Sequence, residues 1–126
     1  MKQRTSYLFA TAVLIVVIVY LVYRYAINGF LYISADEARA KIAAKEIDVL
    51  VDVRTNMEYG LGHAPGALHL PTGEIEQKAS SVLPDKTARI LVYCNTGQRA
   101  RDASEKLYGL GYKNVRYISG TYLSLR

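Results

Sequence analysis

Cysteine is nearly missing from this chain: one residue, Cys94, stands among 126, with two histidines and no tryptophan. One thiol cannot close an internal disulfide, so pairing says nothing about the redox compartment. His63, His69 and Cys94 lie far apart without ligand spacing, which argues against a structural metal. No other cofactor is implied. Charge is missing too from Thr5 to Tyr23, 19 positions. Such a run spans roughly 28 Å at the helical rise, about the thickness of a bilayer's hydrocarbon core.

Tyr7 stands near one end of that run, and Tyr20, Tyr23 and Tyr25 near the other, as interfacial aromatic residues do. A cleaved signal peptide is the rival reading. Against it, the run exceeds a signal-peptide core, and Arg24 and Tyr25 occupy the place where small residues would mark cleavage. The expectation is an N-terminal anchor and juxtamembrane segment over residues 1–33, crossing the membrane once through 5–23, and a globular domain over 34–126. Lys2 and Arg4 before the run, against Arg24 after it, favour a cytoplasmic amino end. That bias vanishes if the helix continues toward Ile33, because Arg39, Lys41 and Lys45 then count on the other side. The side of the membrane stays open.

The net charge of +5 suggests nucleic acid until it is divided. Lys2, Arg4 and Arg24 belong to the anchor, and from Ser34 onward 13 basic residues face 11 acidic ones. That balance is an ordinary soluble surface, and no nucleic-acid partner is expected.

Cys94 follows the apolar run Ile90-Leu91-Val92-Tyr93, which reads as a buried strand. From Arg99, the residues Ala100, Ala103 and Leu107 recur at helical spacing. The cysteine therefore sits between a strand end and a helix start. A tight loop entering a helix turns several backbone N–H groups toward one point, and the helix end adds partial positive charge. A sulfur seated there is held as thiolate. Gly97 supplies the conformational freedom such a loop needs, and Arg99 and Arg101 add charge. The plain alternative is a buried, inert cysteine.

Ser34 and Glu37 have the form of a capping box ahead of a helix reaching about Lys45. Residues 26–33 are too apolar for a free linker and are expected on the membrane surface or against the domain. Val49-Leu50-Val51 with Val53 reads as a parallel strand covered on both faces. It places Asp52 and Arg54 at its carboxyl end, where open α/β sheets bind ligands. Thr55 caps a short turn through Glu58, and Ala67 to Leu70 is a second brief strand. A short helix follows from Thr72 to about Val82, stopped by Pro84. Gly109 or Gly111 ends the helix that leaves the cysteine, and Val115 to Ile118 is the last strand. Strands alternating with helices predict a three-layer α/β domain with a central parallel sheet.

Several stretches together resemble the rhodanese family of sulfurtransferases. They are Val51-Asp52-Val53-Arg54-Thr55, Glu58-Tyr59, Gly62-His63-Ala64-Pro65-Gly66-Ala67, Leu70-Pro71, and Tyr93-Cys94-Asn95-Thr96-Gly97-Gln98-Arg99-Ala100. The resemblance implies a ping-pong reaction in which Cys94 takes a sulfane sulfur from a small anionic donor such as thiosulfate and passes it to cyanide or a thiol. It implies that Asn95, Thr96, Gly97, Gln98 and Arg99 bind substrate through their amides and through the Arg99 charge. Asp52 and Arg54 would form an ion pair tying the first strand end to the loop, with Glu58 as a further partner. His63 would belong to a structural turn, as would His69. The family commonly continues past the last strand with a Trp-containing segment and another helix; here that helix would be absent or replaced by packing from Phe30 to Ile33.

Two other functions compete. Cell-cycle dual-specificity phosphatases, and arsenate reductases with them, use cysteine and arginine around a loop of five intervening residues, whereas Cys94 to Arg99 has four, a tighter ring suited to one sulfur atom. A membrane-tethered domain that binds or senses without turnover is the second rival.

Overall fold

The computed structural model describes all residues, Met1–Arg126. Helix α1, Lys2–Leu31, runs 30 residues without a break and is long and apolar enough to cross a membrane. It does not stop at Arg24. Its last turns pack on the domain: Leu31 is fully buried, Ile27 packs against the same core, and the Tyr117 hydroxyl donates to Asn28 Oδ1 at 2.8 Å. Arg24 is carried across the junction by a 2.7 Å ion pair with Glu105. Of the two placements expected for residues 26–33, packing on the domain is the one found. The charge bias across the apolar run vanishes with it, as a helix running on past Arg24 requires.

Tyr32 then bridges Tyr117 in parallel at the edge of the sheet, and Ser34 caps helix α2, Ala35–Ala43. Only half of the expected box forms there, the Glu37 N–H donating to Ser34 Oγ at 3.1 Å. Strand β1, Val49–Asp52, leads to helix α3, Asn56–Leu61, then strand β2, Leu68–His69, and helix α4, Ile75–Val82. Strand β3, Ile90–Tyr93, feeds the cysteine loop; helix α5, Gln98–Gly109, leaves it; and strand β4, Val115–Tyr117, closes the sheet. Residues Tyr122–Leu125 form a final 3-10 turn, with Leu125 and Tyr122 packed on the core. Of the two glycines expected to end α5, Gly111 takes the left-handed conformation, φ +104°, while Gly109 stays within the helix.

All strands are parallel, in the order β2-β1-β3-β4. Alternate residues of β3 face opposite ways. Ile90, Val92 and Cys94 join the core shared with α1, α4 and α5, while Leu91 and Tyr93 join a second core beneath α2 and the final turn. Both faces are covered, which is why the strands read as unbroken apolar runs. The register sets Asp52 beside Tyr93, one residue before the cysteine.

Candidate active site

The sheet's topology brings its central strand ends to one place. Cys94 is completely buried where β3 ends, and the Gly97 N–H donates to its Sγ at 3.1 Å. The other loop amides make no such bond. Gly97 holds φ +96° at the start of α5, and a Cβ there would lie 2.6 Å from the Ser119 Cα, so conformation and space both demand glycine. Thr96 and Gln98 are exposed, and Asn95 and Arg99 are half-buried.

Asp52 and Arg54 form the expected ion pair, with almost no exposure. The Arg54 backbone N–H and Nε donate to Asp52 Oδ1 at 2.9 and 3.0 Å, and one terminal nitrogen donates to Oδ2 at 2.7 Å. The same nitrogen reaches the Gly62 carbonyl at 2.6 Å. Asp52 also accepts from the Tyr93 hydroxyl at 2.7 Å, and that hydroxyl accepts from the Ala64 N–H at 3.1 Å. Burial, with the Asp52 bond, pushes the Tyr93 phenol well above its usual range. The pair therefore ties the end of β1 to the end of β3 and to the 62–64 turn, and makes no hydrogen bond to the loop itself.

Glu58 does not join that pair, contrary to expectation. The Asp52 oxygens already satisfy Arg54 inside the sheet, and Glu58 points to the loop instead. It accepts two bonds from Arg99 at 2.7 and 3.0 Å and one from Asn95 Nδ2 at 2.6 Å. Thr55 completes its surroundings through a capping box, in which the Glu58 carboxylate accepts from the Thr55 N–H at 3.2 Å. The Arg99 guanidinium, aided by Thr55, holds the Glu58 carboxyl well below the usual carboxylate range. Arg99, expected to place its charge at the sulfur, is engaged by this carboxylate.

His63 and His69 sandwich the Tyr59 ring at centroid distances of 3.7 and 4.4 Å, and their nitrogens donate to the backbone carbonyls of Tyr59 and Arg54. These contacts hold both rings against Tyr59 and the backbone. Tyr93 and Tyr122 are additions that the sequence reading missed. A tyrosine within a buried aliphatic strand signals a hydroxyl needing a partner. Nothing local marks Tyr122, whose ring lies 5.2 Å from the Arg54 guanidinium carbon. A 680 Å³ cavity between α1 and α5, lined by Tyr23, Arg24 and Lys106 among others, touches none of these residues.

The chain is an α/β protein with a parallel four-stranded sheet, and its single buried cysteine lies on a glycine-shaped loop between a strand and the helix that follows. This chain belongs to the rhodanese family: the model of the rhodanese-like domain matches residues 34–125. It is 34% identical over 70 residues to thiosulfate sulfurtransferase PspE of Escherichia coli, covering 56% of this chain and 67% of that one. It is 32% identical over 105 residues to thiosulfate sulfurtransferase 18 of Arabidopsis thaliana, covering 73% and 76%. Of some longer relatives it spans only 26%. Among solved structures, human single-domain sulfurtransferase TSTD1 superposes with a TM-score of 0.65 at 28% identity, covering 75% of this chain and 93% of that one.

Proposed function

We propose that this protein is a membrane-anchored sulfurtransferase, with residues 1–33 as anchor and juxtamembrane segment and 34–126 as the sulfur-transferring domain. The observation that carries the reading is the Gly97 N–H on Cys94 Sγ at the mouth of α5. That geometry suits a sulfur that is negatively charged both before and after it accepts a second sulfur. The names of the two thiosulfate sulfurtransferases support the reaction class. The anchor is supported by the apolar run of α1 over residues 5–23, all of it exposed and none of it buried against the domain.

In the proposed cycle the Cys94 thiolate attacks the outer sulfur of thiosulfate or a persulfide. The donor's S–S bond breaks, its electron pair leaves with sulfite or a thiolate, and the transferred sulfur remains on Cys94 as a persulfide anion. Cyanide or a thiol then removes that sulfur and restores the thiolate. The helix end and the Gly97 amide meet the negative charge in both halves without rearranging. In this reading Gln98 and Thr96, both exposed, contact the donor.

The complete burial of Cys94 favours a second reading, a tethered module that binds or senses without turnover. One experiment separates the two. Purified protein incubated with thiosulfate gains the mass of one sulfur, loses it to reductant, and forms thiocyanate with cyanide; Cys94→Ser does none of these while unfolding at the same temperature. Full transfer by Cys94→Ser would overturn the mechanism, and failure of the wild-type protein to take up sulfur would favour the binding module. Phosphate release from an aryl phosphate, with no thiocyanate, would instead point to the phosphatase chemistry.

A further inference from the structure

Where α1 crosses α5, two guanidiniums share one carboxylate. Glu105 Oε2 accepts from Arg24 at 2.7 Å, and Oε1 lies 3.5 Å from Arg101 Nε, so one positive charge is left over. In the 680 Å³ cavity, which Arg24 also lines, Lys106 and Asp102 offset one another. Both guanidiniums line a second cavity of about 370 Å³ between α1 and the start of α5, together with Tyr20, Leu21, Tyr25 and Asn28. No carboxylate lines it. Its neutral polar groups are left as donors: the Tyr20 oxygen accepts from Arg24 Nη1 at 3.2 Å and keeps its own O–H, and Asn28 Oδ1 accepts from Tyr117, leaving Nδ2 without a partner in the protein.

We infer that this second cavity binds the headgroup phosphate of an anionic phospholipid. The inference rests on the anchor reading above, with residues 5–23 in a bilayer. The cavity then straddles the membrane boundary, because Tyr20 and Leu21 lie at the end of the apolar run while Arg24 and Tyr25 follow it. A lipid suits that placement. Val17 and Leu21, four residues apart on one face of α1 and both exposed, lead from the cavity into the bilayer as a surface for acyl chains. The phosphate stops at Arg24 and Arg101, whose planar guanidiniums offer paired donors to its oxygens. One negative charge neutralises the surplus, whereas a zwitterionic headgroup also brings a cation up to the two guanidiniums. A headgroup bound there holds α5 against the membrane surface one helical turn from the cysteine loop, since the Arg101 N–H donates to the Gly97 carbonyl at 2.8 Å.

The test uses full-length protein in uncharged detergent micelles, titrated with dioctanoyl phosphatidylglycerol or dioctanoyl phosphatidylcholine, with bound lipid counted by native mass spectrometry and inorganic phosphate as competitor. Phosphatidylglycerol should bind about tenfold more tightly than phosphatidylcholine. Arg101→Gln should weaken phosphatidylglycerol binding about fivefold, as the loss of one cation near a lipid charge does. Glu105→Gln, which frees both guanidiniums, should tighten it by about the same factor. Lys41→Gln removes the same charge from α2, on the other face of the sheet, and should leave binding unchanged. Equal affinity for the two lipids overturns the inference, as does weaker binding in Glu105→Gln. An equal loss in Arg101→Gln and Lys41→Gln assigns the preference to overall charge and also overturns it. Displacement of the lipid by an equal concentration of inorganic phosphate makes the cavity a soluble-anion site, with the same consequence. Flotation with phosphatidylcholine vesicles tests the anchor separately: protein that stays at the bottom removes the anchor and this inference together, whereas protein that floats but shows no lipid preference removes this inference alone.

Discussion

Tyr93 is the one aromatic side chain in a strand otherwise built of Ile90, Leu91 and Val92, and its hydroxyl has two obligations inside the protein. It donates to Asp52 and accepts from the Ala64 N–H, with no water-exposed surface of its own. Tyr93→Phe keeps the ring and removes both bonds, leaving an N–H unpaired and a carboxylate oxygen short of a donor. The expected cost is about 1–3 kcal/mol of stability, measured by urea denaturation of the domain. A neutral result would mean that water replaces the hydroxyl. At this scale the sequence was informative about type and less so about pairing. Cys94, Gly97, Asp52 and Arg54 could be picked out because strand ends and tight loops restrict what residues do there. Glu58 was matched with Arg54, its neighbour four positions away, whereas its partners Asn95 and Arg99 lie 37 and 41 residues further along the chain. Local spacing carries no trace of such a contact.

Among the elements, the strands were legible because a parallel sheet buried on both faces forces unbroken apolar runs. Helices α2, α4 and α5 followed from apolar residues at helical spacing. The end of α1 was not legible. Arg24 reads as the close of an apolar span, yet the helix continues to Leu31, with Arg24 paired to Glu105, 81 residues away, and Leu31 and Ile27 packed on the core. Those last turns belong to the core, with Leu31 fully buried and Ile33 only 5% exposed beyond the helix. Burying each such side chain contributes about 1.5–3 kcal/mol. Two shortened proteins test this, one beginning at Tyr25 and the other at Ser34, both lacking the apolar run. The chain from Tyr25 should unfold at a clearly higher urea concentration, and Leu31→Ala within it should lose about 2–5 kcal/mol. Equal midpoints would show that α1 only touches the domain without stabilising it.

For the whole molecule, the charge pairs and the buried phenol set the pH range in which the domain is stable. The Arg99 guanidinium holds the Glu58 carboxyl low, and hydrogen bonds from Arg89 hold Asp48 at about 2. Unfolded, these groups return to about 4.3 and 3.9. Their contribution is therefore complete above those values, where both states are ionised, and is lost as pH falls toward the lower folded values, because the unfolded chain takes up protons first. Tyr93 works in the opposite direction. Its folded value lies above the unfolded one of about 10, so its contribution is complete below that pH and is lost as pH rises past it. Thermal unfolding should show a plateau from about pH 5 to about pH 9, falling on the acid side from about pH 4 and on the alkaline side beyond about pH 10. Glu58→Gln should flatten part of the acid limb and leave the alkaline limb unchanged; Tyr93→Phe should do the reverse. A melting temperature that holds constant down to pH 2 would show that neither carboxylate pair contributes, and an acid limb unmoved by Glu58→Gln would place the loss in the other lowered carboxyls, Asp48 with its Arg89 partner and Asp85 with its Thr87 bonds.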